Sequence, residues 1–303
     1  MVISELRSAC AEVARRAGHV RINEATIQAY AADLPAPEPQ AAASVLTGSA
    51  RDREAAFWLT LDAINFGSGW FPTLRKHSEP TGYRTIAAGV RRRFDSLGPW
   101  SPTELAAITA TELAQTFGQD QDHKLMALFA ASLQDLGRHI DTDAGGSFVA
   151  LLDAAEHSAL ALVERLSTWD SFSDVSQYQE LRLPFLKRAQ IASADLNRAG
   201  VARFDDLRQL TLFADNLVPH VLRLDGILEF DTDLVKRIER GDLIAHDSPA
   251  EIEIRACALH AVELIVASRP PCSAAQVDQL LWNRGQGTAY KAVPRHRSRC
   301  TAY

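Results

Sequence analysis

Hydrophobic residues recur at helical spacing along most of the chain. Ile3, Leu6, Cys10, Val13 and Ala14 step by three and four, the stripe of an amphipathic helix. Further stripes predict helices over 50–66, 83–96, 122–139, 147–167, 185–199, 205–214, 216–225, 231–240, 249–268 and 274–283. Two start signals sharpen the pattern. Ser101-Pro102-Thr103-Glu104 reads as a capping box with proline at the first helical position, and Thr109-Ala110-Thr111-Glu112 repeats it one helix later. Long period-two runs are missing, and 297–303 is expected as a short terminal strand. The pattern predicts an all-α fold.

Breaks fall at Pro35-Ala36-Pro37-Glu38-Pro39, at the Gly67–Gly69 loop, at Gly145-Gly146 and at Pro270-Pro271. None is a long linker, and no fixed period of a helical repeat array is present. The expected organisation is a helical segment over 1–50 packed on a larger helical body over 51–303, or one continuous domain over 1–303. At 303 residues, with 47% hydrophobic and 23% charged, the composition excludes general disorder. A net charge of −6 argues against a partner held by a broad polyphosphate footprint. Only five of the 32 basic residues are lysines (Lys76, Lys124, Lys187, Lys236 and Lys291), so a lysine inside a motif stands out. Cys10, Cys257, Cys272 and Cys300 show neither zinc-ligand spacing nor a disulfide framework and are expected as buried thiols. There is no apolar run of membrane-spanning length and no signal-peptide core, so a soluble, cytoplasmic protein is expected.

Three segments carry candidate chemistry. In Leu210–His220, Asp215 precedes Pro219 and the next helix. It either caps that helix, or it is a pocket carboxylate beside the ring of Phe213, a pair suited to a planar base on a sugar. In Phe185-Leu186-Lys187-Arg188-Ala189-Gln190, Lys187 enters an otherwise apolar helix. It either lies along the surface with a solvated amine or binds a phosphate or carboxylate. Near the end, Leu281-Trp282-Asn283 is followed by the basic run Pro294-Arg295-His296-Arg297-Ser298-Arg299, which alone reads as solvent-exposed.

Taken in order, these segments resemble the queuosine salvage protein family, the queuosine 5′-phosphate N-glycosylases. The resemblance runs from Trp58–Phe66, with Asp62, Asn65 and Phe66, through Gly145-Gly146-Ser147-Phe148 and Lys187-Arg188-Ala189-Gln190. It continues over Phe213-Ala214-Asp215, Glu253-Ile254-Arg255, Val262-Glu263-Leu264-Ile265 and His296-Arg297-x-Arg299. No nucleotide fingerprint, P-loop or metalloprotease motif competes. The resemblance implies an all-helical enzyme distantly similar in fold to DNA glycosylases. Such an enzyme hydrolyses the N-glycosidic bond of queuosine 5′-monophosphate and releases queuine for return to transfer RNA, with no metal or cofactor. Two departures stand out. Some members read Asp-Tyr-Arg-x-Pro-Gln where this chain has Asp215-Asn216-Leu217-Val218-Pro219-His220, and Leu-Trp-Asp where it has Leu281-Trp282-Asn283.

Within that reading Asp215 faces the cation that develops on the ribose, as stabiliser, nucleophile or base for water. Phe213 stacks on the base and Asn283 reads its edge. Asp62, with Asn65 beside it, meets the amine of the base. Lys187 holds the 5′-phosphate, helped by His296 or Arg297. The expected partners are this small molecule and its product, neither a nucleic-acid duplex nor a membrane; the oligomeric state stays open. Two other readings compete. One is a DNA-lesion glycosylase, on the Leu224-Asp225-Gly226-Ile227 turn, which lacks the second glycine of a helix-hairpin-helix. The other is a non-enzymatic helical interaction module.

Overall fold

A computed structural model describes residues 2–37, 45–76 and 81–303; residues 38 and 39 of the expected break at 35–39 lie outside it. The predicted stripe becomes α1 (Val2–Arg16), which buries Ile3, Leu6, Ala9, Cys10 and Val13. Next, α2 (Glu24–Asp33) buries only Ile27 and Ala31, so it left no stripe to read. Helices α3 (Gly48–Ala63) and α4 (Gly82–Leu97) follow the expected 50–66 and 83–96. Helices α5 (Pro102–Ala107) and α6 (Ala110–Phe117) begin at the two capping boxes. In each, the Ser101 or Thr109 hydroxyl accepts the N–H of a glutamate three residues on, whose carboxylate accepts the capping residue's own N–H.

Helix α7 (Lys124–Ala144) stops at Gly145, whose φ of 59° is left-handed, the conformation that favours glycine at a helix end. The single helix expected over 147–167 is two, α8 (Phe148–Asp153) and α9 (Ala159–Ser167). Glu156 and His157, at φ 47° and 65°, turn the chain between them. Then follow α10 (Lys187–Arg198), α11 (Val218–Leu224), α12 (Thr232–Glu239), α13 (Pro249–Ala267), α14 (Ala274–Arg284) and a short α15 (Thr288–Ala292). The helix expected over 205–214 does not form; a 3-10 turn at Leu207–Gln209 leads into extended chain. Side chains take the backbone donors there: Thr211 N–H goes to Gln190 Oε1 at 2.9 Å and Phe213 N–H to Asp278 Oδ1 at 3.3 Å.

Four strands escaped the period-two reading because each has only three or four residues: β1 (Val20–Ile22), β2 (Val175–Tyr178), β3 (Leu181–Pro184) and β4 (Leu228–Phe230). β1 pairs antiparallel with β4, with Arg21 opposite Glu229, and β2 with β3. The strand expected over 297–303 is irregular chain instead. The fold is all-α in character, with these two hairpin-sized sheets as trim.

The buried side chains form two main clusters. One is built on α3 to α10 and includes Phe213. The other is built on α1, α2, α11, α13 and α14 and includes Leu212, Ala214 and Leu217. The extended 210–217 segment therefore runs along the seam between them. All four cysteines are buried and free. No helix among the described residues is long and apolar enough to cross a membrane.

Candidate active site

A cavity of about 1240 Å³ opens at this seam, somewhat above the roughly 300–1,000 Å³ usual for small-molecule clefts. Its walls come from Asn65 and Phe66 after α3, one face of α10 from Lys187 to Arg198, the 213–217 stretch, α14 and the chain around Arg295.

The start of α10 explains the Lys-Arg-Ala-Gln run. Leu186, at φ 49°, swings the chain into the helix, and Asp174 Oδ2 accepts the N–H of Lys187 at 3.0 Å. Lys187 then reaches the cavity, where its Nζ donates to the backbone oxygen of Asn65 at 2.9 Å and to Asn65 Oδ1 at 3.1 Å. Burial pulls its pKa below the usual lysine value, against the opposing charges of Asp215 and Asp62. Arg188 turns away, wholly buried, and donates to the carbonyl of Ala63 at the end of α3. Gln190 braces the other wall through Thr211.

Asp215 caps a helix and also stands at the cavity wall. Its Oδ1 accepts the N–H groups of Leu217 and Val218 at 2.8 and 3.1 Å, capping the first turn of α11. Its residue also lines the cavity, and its second oxygen has no hydrogen bond among the described residues. The neighbouring Ala214 carbonyl accepts from Arg255 Nε at 3.1 Å. Arg255 in turn forms a buried bidentate pair with Asp174 at 2.9 and 2.7 Å. The same Asp174 therefore holds the Lys187 backbone and, through Arg255, the chain that carries Asp215.

Six of the eight predicted residues share this cavity: Asp215, Phe213, Lys187, Asn65, Asn283 and Arg297. Asn283 is exposed at the rim, its Oδ1 accepting from Gln279 at 3.0 Å, with Trp282 and Tyr83 edge to face beside it. Asp62 and His296 do not line it. Asp62 lies fully buried behind Asn65, whose amide donates to it at 3.2 Å; burial, then the charge of Asp195, push its carboxyl up. His296 is buried with neither ring nitrogen hydrogen-bonded, and burial lowers its pKa to about 3.

Three lining residues were missed in the sequence. Asp195, paired with Arg198 at 2.8 Å, is pushed up to about 6 by burial. Asp278 is buried against Phe213. Arg295 sits within the charge field of Asp215 and Arg297, and neither arginine side chain has a hydrogen-bond or ion-pair partner among the described residues. The basic tail expected in solvent instead folds into the wall. Away from the cavity, His246, Asp247 and Glu251 bring ligand atoms within 4.8 Å of one another. The guanidinium of Arg255 already stands 4.0 Å from Glu251, so that carboxylate has its cation.

A mainly helical body with one large cavity, carboxylates on its walls and, at its edge, two arginines without a side-chain partner among the described residues has the layout of a small-molecule site. The chain belongs to the queuosine salvage protein family, whose pattern it matches over residues 46–303. It is 36% identical over 266 residues to the queuosine 5′-phosphate N-glycosylase/hydrolase of Sphaerobacter thermophilus, covering 84% of this chain and 82% of that protein. The mouse protein of the same name is 29% identical over 281 residues, covering 83% of each chain. The Schizosaccharomyces pombe protein is 31% identical over 243 residues, covering 75% of this chain and 70% of its own.

Proposed function

We propose that this protein hydrolyses the N-glycosidic bond of queuosine 5′-monophosphate and releases queuine. The observation that carries the proposal is the juxtaposition, in one cavity, of a carboxylate with a free oxygen (Asp215), an aromatic wall residue (Phe213) and unpaired arginines. The matching names of relatives that align over most of the chain support it. Cleavage of a ribosyl C–N bond builds positive charge on the sugar, and the carboxylate of Asp215 stabilises that charge more than the neutral ground state. The base stacks on Phe213. Asn283, whose oxygen is engaged by Gln279, turns its amide nitrogen to an acceptor on the base.

The phosphate falls to Arg295 and Arg297 rather than to Lys187. The Lys187 amine already donates twice to Asn65, and the carboxylates around it repel a phosphate. Lys187 instead holds the sugar end of the site together. The amine of the base meets Asp195 at the wall, with Asp62 behind it. The test is direct. Incubated with queuosine 5′-monophosphate and, separately, with queuosine, the protein yields free queuine by mass spectrometry, faster from the nucleotide; no queuine from either rejects the proposal.

A further inference from the structure

Among the described residues three carboxylates line the cavity: Asp195, Asp215 and Asp278. Asp195 has Arg198, and Asp215 has two backbone N–H donors. Asp278 has neither a cation at ion-pairing distance nor more than one hydrogen bond, the 3.3 Å contact from Phe213 N–H to its Oδ1. It is 8% exposed, and its second oxygen is unengaged. It is anchored to the same short stretch of chain that supplies Phe213 and Asp215 to the cavity wall. We infer that Asp278 is the proton donor to the departing base, an inference that rests on the glycosidase reading above.

A buried carboxylic acid without a counter-ion is held neutral, and a neutral acid donates a hydrogen bond or a proton. Burial first, then the charge of Asp215, push its carboxyl well above the usual carboxylate range, while the Phe213 N–H and Lys187 oppose this. The groups facing it are Lys187 and Asp195 from α10 and Asp215 from the seam segment. Queuine is a 7-deazaguanine, with carbon at ring position 7, so that position offers no basic nitrogen for activating the leaving group. As the C1′–N bond breaks, its electron pair passes to the base, whose nitrogen takes the Asp278 proton. Water adds its oxygen to C1′ and gives its proton to Asp215; exchange with solvent restores both carboxyls.

The test compares two leaving groups. Asp278→Asn keeps the shape and a hydrogen-bond donor but has no acidic proton. It is expected to lower kcat on queuosine 5′-monophosphate by about a hundredfold or more, with KM changed less than about threefold. On 4-nitrophenyl ribofuranoside 5′-phosphate, whose phenolate leaves without a proton, it stays within about tenfold of wild type, whereas Asp215→Asn loses both activities. Wild-type kcat on the nucleotide falls as pH rises through the Asp278 titration, and Asp278→Asn lacks that limb; this alone decides if the wild type leaves the nitrophenyl compound intact. Equal losses on both substrates, nucleotide turnover within about tenfold of wild type, or a retained alkaline limb overturns the inference. A wild-type protein that releases no queuine overturns the underlying glycosidase reading instead.

Discussion

At the scale of single residues, the proposed site divides between groups assigned to act on charge and groups that hold them. Asp215→Asn removes the anion yet keeps an oxygen to accept from Leu217 and Val218, so the cap on α11 survives. Its kcat is expected to fall at least about a hundredfold with an unchanged melting temperature; activity within about tenfold of wild type removes Asp215 from the chemistry. The cations separate in a different assay. Arg295→Ala or Arg297→Ala is expected to cost one charge-assisted hydrogen bond, about 1.5–3 kcal/mol, or roughly ten- to a hundredfold in kcat/KM, on the nucleotide and little on the nucleoside. Lys187→Ala is expected to lower both substrates alike, since its amine already donates twice to Asn65. A loss specific to the nucleotide in Lys187→Ala moves the phosphate back to that lysine. Lysine scarcity made Lys187 legible, and the Phe-Ala-Asp run made Asp215 legible. Asp278 and Arg295 were not, because a carboxylate on a helix and an arginine in a basic tail look like surface until tertiary packing buries them.

At the scale of elements, most helices were written in the amphipathic stripes, and the capping boxes fixed two starts to the residue. The misreading at 205–214 has a tertiary cause. Where side chains distant in sequence satisfy the backbone, local pattern has no authority. The apolar run at 205–214 has helical spacing, yet its N–H groups find Gln190 and Asp278, so it runs extended and carries Phe213 and Asp215 into the cavity. This gives Gln190 a measurable role. Gln190→Ala strands the Thr211 N–H and the Phe185 carbonyl in the core, at about 1–3 kcal/mol for each unpaired group. It is expected to lower stability in urea and, by loosening the segment, to lower kcat more than it raises KM. Full activity in a destabilised Gln190→Ala protein rejects the brace.

At the scale of the whole molecule, two hydrophobic clusters meet along a seam, crossed by polar links both at the surface, as from Arg198 to Gln279, and in the interior. The Asp174–Arg255 pair is the most deeply set, both side chains being almost wholly excluded from solvent. Removing Asp174 leaves the buried Arg255 guanidinium with only the longer 4.0 Å contact to Glu251, so Asp174→Ala is expected to cost about 3–5 kcal/mol. Stability and positioning are separable here. A buried pair replaced as a unit by apolar residues of similar size is often neutral or stabilising, so Asp174→Leu with Arg255→Met is expected to recover most of that loss. It does not recover the hydrogen bond to the Ala214 carbonyl, nor the acceptor for the Lys187 N–H. The double variant should therefore unfold near the wild-type urea midpoint while kcat stays depressed by at least about tenfold, with free queuine still bound. Restored kcat would mean that packing of the two clusters alone aligns the walls. Depressed kcat at wild-type stability would mean that the ion pair is kept for registering Asp215 against Lys187, not for holding the fold.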